Sequence, residues 1–127
     1  MKTPEELKYS KTHEWVRFIS ETEAEVGLSD YAQDALGDLV FVNLPEPDAE
    51  AVKGETIADV ESVKAVSDVY APVNGTVTEV NEELLDSPEL INSDPYGAWL
   101  FRLKDVSDCD DLMDADDYIR HCESEEH

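Results

Sequence analysis

Apolar and polar residues alternate in short runs along most of the chain, and a polar or proline-containing turn ends each run. The runs at 13–19 and 23–28 flank the polar turn Ser20-Glu21-Thr22, which predicts a β-hairpin. Further strand-length runs occupy 38–44, 56–61, 65–70, 75–80 and 99–103. Because many short strands with frequent turns are typical of antiparallel sandwiches and barrels, we expect a mainly β fold.

Three segments carry signals for short helices. Thr3-Pro4-Glu5-Glu6 has Thr at the N-cap, Pro at N1 and Glu at N3, which is the pattern of a capping box and predicts a single turn. Ser29-Asp30 can cap a helix over 31–36, and Gly37 is placed to end it in the left-handed region. The segment 81–92 predicts short helical turns that cover one edge of the fold.

The same pattern assigns core and turn positions. The run 38–44 is apolar on both faces, which predicts a strand buried on two sides. We assign the large aromatic side chains of Trp15, Phe41 and Trp99 to the core. Asn74-Gly75 predicts a turn with positive φ between two strands.

The acidic C-terminal segment, 106–127, predicts a helix. From 108 onward, Leu112, Ala115, Ile119 and Cys122 recur at helical spacing among many aspartates, so this helix should dock by a narrow apolar stripe.

The two cysteines, Cys109 and Cys122, are predicted to be free thiols rather than a disulfide or a redox pair, because a chain of this length needs no covalent framework. His121 alone joins them locally, whereas a structural zinc site needs four close ligands. We therefore predict no metal site.

Length and charge narrow the class of protein. The 127 residues suffice for one domain, 1–127, and the formal net charge of −23 disfavours binding to nucleic acid phosphates or to anionic membranes. The longest apolar run, Leu39 to Val42, is too short for a membrane helix, and the first residues lack the apolar region of a secretory signal. We expect a cytoplasmic, monomeric protein, and the acidity suggests a salt-adapted source.

Catalytic motifs are scarce in the sequence. There is no Gly-x-Ser-x-Gly elbow, phosphate-binding loop, Cys-x-x-Cys or His-Glu-x-x-His, and His13 beside Glu14 is the one pair that resembles a general base with an orienting carboxylate. Lys64 is one of six lysines in the chain and lies where two strand-forming runs should turn. By spacing alone, Lys64 fits a solvated turn lysine better than an attachment site.

A resemblance to a known protein family favours the attachment site over a simple turn lysine. The sequence Glu61-Ser62-Val63-Lys64-Ala65, followed by Ala-Pro-x-x-Gly-x-Val at 71–77, resembles the lipoyl-lysine hairpin of the lipoyl and biotinyl carrier family. The residues beside Lys64 look lipoyl, since biotin carriers usually have Met on both sides. Four further blocks resemble the H protein of the glycine cleavage system: His13-Glu14-Trp15, the stretch 29–38 with 42–47, 61–64, and Asp94-Pro95-Tyr96-Gly97 before Trp99.

The resemblance implies a fold, a cofactor and partners. The fold would be a barrel-sandwich hybrid of two short-stranded antiparallel sheets with short helices and a C-terminal helix. Lipoic acid would be joined as an amide to Lys64. The chain would then be a carrier and not an enzyme, taking an aminomethyl group from glycine at the P protein to the T protein, with reoxidation at the L protein.

Four further residues receive roles from the same resemblance. Lipoic acid on Lys64 would form a long arm that carries the aminomethyl group at its end. Thr12, Glu14 and Asp68 are expected in a cleft that receives this loaded arm, where a carboxylate would hold the aminomethyl amine. Glu61 is expected to guide the lipoylating enzyme. Each of the four also fits an ordinary solvated strand or turn position.

Three other functions remain open on the sequence. A lipoyl domain of a 2-oxoacid dehydrogenase would share the fold but would be shorter and would lack the helix block near 31–37. An unmodified acidic interaction or storage protein would leave Lys64 without added mass. A thiol enzyme would need Cys109 or Cys122.

Overall fold

The computed structural model describes residues 2–125, which fold into two β-sheets and four helices. The strands are β1 (Lys8–Tyr9), β2 (Glu14–Phe18), β3 (Ala24–Leu28), β4 (Leu39–Asn43), β5 (Glu50–Ala51), β6 (Thr56–Ser62), β7 (Val66–Tyr70), β8 (Asn74–Val80) and β9 (Phe101–Ser107). The helices are α1 (Asp30–Leu36), α2 (Glu83–Asp86), α3 (Leu90–Ser93) and α4 (Ala115–Glu125).

Two antiparallel sheets carry the fold. The larger one has the strand order β1-β2-β3-β9-β8-β5, and the smaller one has the order β4-β6-β7. Every strand pairing is antiparallel. The predicted mainly β fold of two short-stranded sheets, with short helices and a helix at the C-terminal end, is confirmed.

The local signals for the first hairpin and the first helix are also confirmed. Strands β2 and β3 pair from Glu14 with Leu28 to Phe18 with Ala24. Ser29 caps α1 by accepting a hydrogen bond from the Ala32 backbone, and Gly37 ends the helix at φ 84°. Only glycine adopts this left-handed backbone routinely, so the helix stop is encoded locally.

Two hydrophobic clusters make up the core. The larger cluster lies between the sheets and includes Val26, Val60, Val77 and Leu103. The smaller cluster is mostly aromatic and packs α4 against β1 and β2 through Tyr9, Trp15 and Tyr118, among others. Trp15 is fully buried as predicted, whereas Trp99 is half-buried and lies beneath the Arg102 guanidinium, 4.0 Å from its ring centroid.

The prediction that the strand at 38–44 is buried on both faces is wrong, and so is the core assignment of Phe41. In β4, Leu39 and Val42 are buried, but Val40 and Phe41 are 54% and 52% exposed. The sheet β4-β6-β7 has one face on the core and one face in solvent, so a strand in it buries only part of its apolar residues.

One turn prediction fails, and another is confirmed only in part. Asn74 and Gly75 belong to β8 and do not form a turn with positive φ; the Asn74 side chain instead accepts a hydrogen bond from the Lys53 backbone at 2.9 Å. The predicted single turn near the start is present, since residues 5–6 form a turn and the Leu7 N–H donates to the Pro4 carbonyl at 3.4 Å. Thr3 does not cap it, because the buried Oγ1 of Thr3 has no hydrogen-bond partner among the described residues. At Asn74, a contact with Lys53, 21 residues away in the chain, outweighs the local turn signal.

The C-terminal helix begins later than the spacing predicts. Of the segment 106–127, residues up to 107 continue β9, and α4 begins only at Ala115. Met113 forms an antiparallel bridge with Tyr9, which holds it extended, and the Asp114 side chain then accepts a hydrogen bond from the Asp117 backbone at 2.9 Å. This cap starts the helix at a position that the apolar spacing does not mark.

The buried residues of α4 also differ in part from the predicted stripe. Tyr118 is buried with Ala115 and Cys122, whereas Ile119 is only half-buried. Within the described residues, Cys109 and Cys122 form no disulfide, as predicted. Among the described helices, none combines the length and the apolar character that crossing a membrane requires.

Candidate functional site: a lysine hairpin beside an acidic cleft

Lys64 lies at the tip of the hairpin formed by β6 and β7. The buried Ser62 hydroxyl accepts hydrogen bonds from the backbone N–H groups of Lys64, at 3.3 Å, and Ala65, at 3.1 Å. The Ser62 N–H donates to the Ala65 carbonyl at 2.8 Å and closes the turn. A small hydroxyl side chain thus fixes the turn while leaving Lys64 exposed.

A second contact fixes the hairpin against the rest of the fold. The Val63 N–H donates to the Asp38 carbonyl at 3.0 Å, just after α1. A β-carbon built on Gly37 would lie 3.5 Å from Cε of Lys64, so the lysine stem lies over the C-terminal end of α1. Among the described residues, no ion pair holds the Lys64 amine.

A cleft of about 140 Å³ runs between α1, the β6–β7 hairpin and the turn before β2. Thr12, Glu14 and Asp68 all line it, although they lie far apart in the sequence. Its remaining wall is largely apolar, including Tyr31 and Leu36 of α1 and other side chains. The cleft therefore has a hydrophobic wall and carboxylates at defined positions.

Glu14 is the buried carboxyl group of this cleft, with 1% of its surface exposed. The Ser10 hydroxyl donates to its Oε1 at 2.7 Å, and the Thr12 hydroxyl donates to the same oxygen. Burial raises the pKa of Glu14 to about 7, even though these hydroxyls and the backbone of Tyr70 favour the ionised form. Glu14 is thus poised to change its charge near neutral pH and would be ionised by a nearby cation.

Glu61 occupies a different surface, close to the lysine hairpin. It pairs with Phe41 on one side and with Val66 on the other, so the three side chains form one row across the smaller sheet. Glu61 is exposed, and Phe41 and Val66 are 52% and 67% exposed. No ion pair in the described part of the chain involves Glu61, so this row presents one carboxylate between two apolar groups.

A larger cavity, of about 270 Å³, lies on the other side of Thr12. Two lysines, Lys11 and Lys53, line this cavity, and Lys53 forms ion pairs with Asp108 and Asp111. The smaller cleft is the better candidate site, because it contains Glu14 and Asp68 and is walled by the helix whose end contacts Lys64.

The proposed pairing of His13 with Glu14 is not present. The imidazole Nδ1 of His13 lies 2.7 Å from the Tyr118 hydroxyl, while Glu14 binds Ser10 and Thr12. Sequence reasoning missed Ser10, which completes the hydroxyl pair on Glu14. The alternating polar positions 10, 12 and 14 were the available signal.

Comparisons with known proteins of similar sequence and structure all point to one family. The family model described as Glycine cleavage H-protein matches residues 7–125. A glycine cleavage system H protein from Lachnoclostridium phytofermentans is 59% identical over 118 residues, 93% of each chain, and one from Coprothermobacter proteolyticus is 56% identical over 93% of this chain and 95% of its own. A crystal structure of a glycine cleavage system H protein from Mycobacterium marinum superimposes with a TM-score of 0.83 at 38% identity, covering 92% of this chain and 96% of that one.

Proposed function

Because the chain belongs to the glycine cleavage H protein family, we propose that Lys64 carries lipoic acid, joined as an amide to its ε-amine. The family is the carrier component of the glycine cleavage system, so the chain is a carrier and not an enzyme. The observation that carries the attachment proposal is the exposed Lys64, whose amine forms no ion pair with any described residue, at a turn fixed by Ser62 and Asp38.

The residues around Lys64 fit a long apolar arm with a charged cargo. When bound, the lipoyl group would supply a disulfide that can take up, on one sulfur, the aminomethyl group left when glycine loses carbon dioxide, while the other sulfur is released as a thiol. The apolar wall of α1 would contact the hydrocarbon part of the arm. Ionised Glu14 would hold the cargo's ammonium group by a charge-assisted hydrogen bond, Thr12 would orient Glu14, and Asp68 would add negative charge at the cleft.

The arm has to serve several proteins in turn. We propose the P, T and L proteins of the glycine cleavage system and a lipoylating enzyme as partners. A tether raises the local concentration of the cargo at each partner's site if the arm can reach it. The cytoplasmic location, the monomeric state and the single domain over 1–127 stay predictions.

Reconstitution tests the carrier role. With purified P protein and glycine, carbon dioxide release should rise with the concentration of the lipoylated chain, because the arm is the acceptor of the aminomethyl group. The same chain without lipoate is the control and should give only the background rate. Equal rates with both forms would contradict the proposal.

Glu61 is proposed to guide the lipoylating enzyme through the exposed row that it shares with Phe41 and Val66. Glu61→Gln removes the charge and keeps the shape, so the rate of lipoylation at low enzyme concentration should fall by about tenfold, or about 1.4 kcal/mol. Glu55→Gln, an exposed residue just before the other end of β6, is the matched control and should leave the rate unchanged. Equal rates for the two variants, measured by intact mass over time, would remove Glu61 from the recognition surface.

A further inference from the structure

Two histidines and a glutamate converge between the turn before β2 and α4. The Nε2 atoms of His13 and His121 lie 2.9 Å and 2.8 Å from Oε2 of Glu125. The three ligating atoms all lie within 4.8 Å of one another, and both imidazoles are only half-buried. His121 and Glu125 are four residues apart on one face of α4, while His13 comes from the opposite end of the chain.

This spacing is close to that of a metal centre. Ligand atoms around a tetrahedral zinc ion, bound at about 2.0–2.2 Å, lie about 3.3 Å apart. The two nitrogen-to-oxygen distances would therefore lengthen by about half an ångström, and the two nitrogens, which lie within 4.8 Å of each other, would come to about the same 3.3 Å separation. Nitrogen and carboxylate oxygen ligands suit zinc and its first-row neighbours, and three protein ligands leave one position for water.

A second layer of contacts orients one of the ligands. Nδ1 of His13 lies 2.7 Å from the Tyr118 hydroxyl, and that hydroxyl lies 2.6 Å from Oγ of Ser29. The Tyr118 hydroxyl can therefore donate to Ser29 while it accepts a hydrogen bond from Nδ1 of His13. With its proton on Nδ1, His13 presents a free lone pair on Nε2, as in metal-ligating histidines.

We propose that His13, His121 and Glu125 bind a divalent transition metal ion of the zinc class, which fastens α4 to the turn beside the arm cleft. Binding would replace the contacts of the two Nε2 atoms with Glu125, and the contact of Nε2 of His121 with the Lys11 carbonyl at 3.0 Å, by three metal bonds, and would release any proton on those nitrogens to water. His13 also lines the cleft with Glu14, so the bound ion would stiffen one wall of it. The site does not depend on lipoylation.

Zinc titration of the full chain tests the site, at about 0.15 M ionic strength and with excess magnesium to cover the surface carboxylates. Any lipoyl arm is kept oxidised so that its thiols do not bind the metal. Calorimetry should show one tight zinc ion per chain, and Glu125→Gln should weaken it at least tenfold. Glu123→Gln makes the same charge change at an exposed position of the same helix and should have no effect.

Two further measurements separate this site from other zinc ligands. Cys109→Ser should leave the affinity unchanged, and the ring protons of His13 and His121 should shift together on zinc addition in NMR spectra. Equal weakening by Glu125→Gln and Glu123→Gln would overturn the proposal, as would the absence of tight binding. A site lost in Cys109→Ser would assign the metal to the thiol instead.

Discussion

Lys64→Arg should abolish lipoylation and reduce glycine-dependent carbon dioxide release to the background rate. Arginine keeps the positive charge and nearly the length of the side chain, but its guanidinium stays protonated and does not form the amide with lipoate. Because Lys64 is exposed, the free energy of unfolding should change by less than about 0.5 kcal/mol. Intact mass after incubation with a lipoylating enzyme, followed by the reconstituted assay, measures both effects.

Lys104→Arg is the matched control for this substitution. Lys104 is also exposed, but it lies in the middle of β9 rather than in a hairpin turn. This variant should gain the lipoyl mass and support the reaction as the wild type does. Lipoylation of Lys64→Arg at the wild-type rate would move the attachment site elsewhere.

Glu14→Gln should remove a pH-dependent loss of stability that amounts to about 3 kcal/mol. The pKa of Glu14 rises from 4.5 to about 7 on folding because burial penalises the charged form. The folded state therefore binds the proton more tightly than the unfolded state. The resulting stabilisation is present below about pH 4.5 and is lost as the pH rises through about 7.

Urea unfolding at pH 5 and pH 8 checks this prediction. The free energy of unfolding of the wild type should fall more steeply with pH than that of Glu14→Gln, which keeps an oxygen that accepts from Ser10 and Thr12 but carries no charge. Glu25→Gln makes the same change at a residue held by Arg17 and Arg102, so it should destabilise the fold at both pH values. Parallel slopes for the wild type and Glu14→Gln would show that Glu14 does not titrate near pH 7.

Local signals were enough to predict the hairpins, α1 and the β class. Ser29 and Gly37 mark the ends of α1 within the sequence itself, and a lysine between two strand-forming runs predicts an exposed turn. The family resemblance then placed Thr12, Glu14 and Asp68 in one cleft, and all three line the cleft beside α1. Neither composition nor spacing alone predicts that these three residues lie in the same cleft.

Features that depend on contacts between distant segments could not be predicted from local patterns. The exposure of Phe41 follows from the solvent-facing side of the smaller sheet, and the late start of α4 follows from the bridge between Met113 and Tyr9. The burial of Glu14 also arises from tertiary packing. In the sequence, a glutamate beside a histidine fits an exposed position on the surface. The convergence of His13 with α4 joins the two ends of the chain and has no local signal.

The most direct test of the lipoyl attachment is the mass of the peptide that contains Lys64, taken from protein purified from its natural host with glycine cleavage induced. We predict an addition of the size of a lipoyl amide on Lys64 and on no other lysine. An unmodified Lys64 peptide under those conditions would contradict the account.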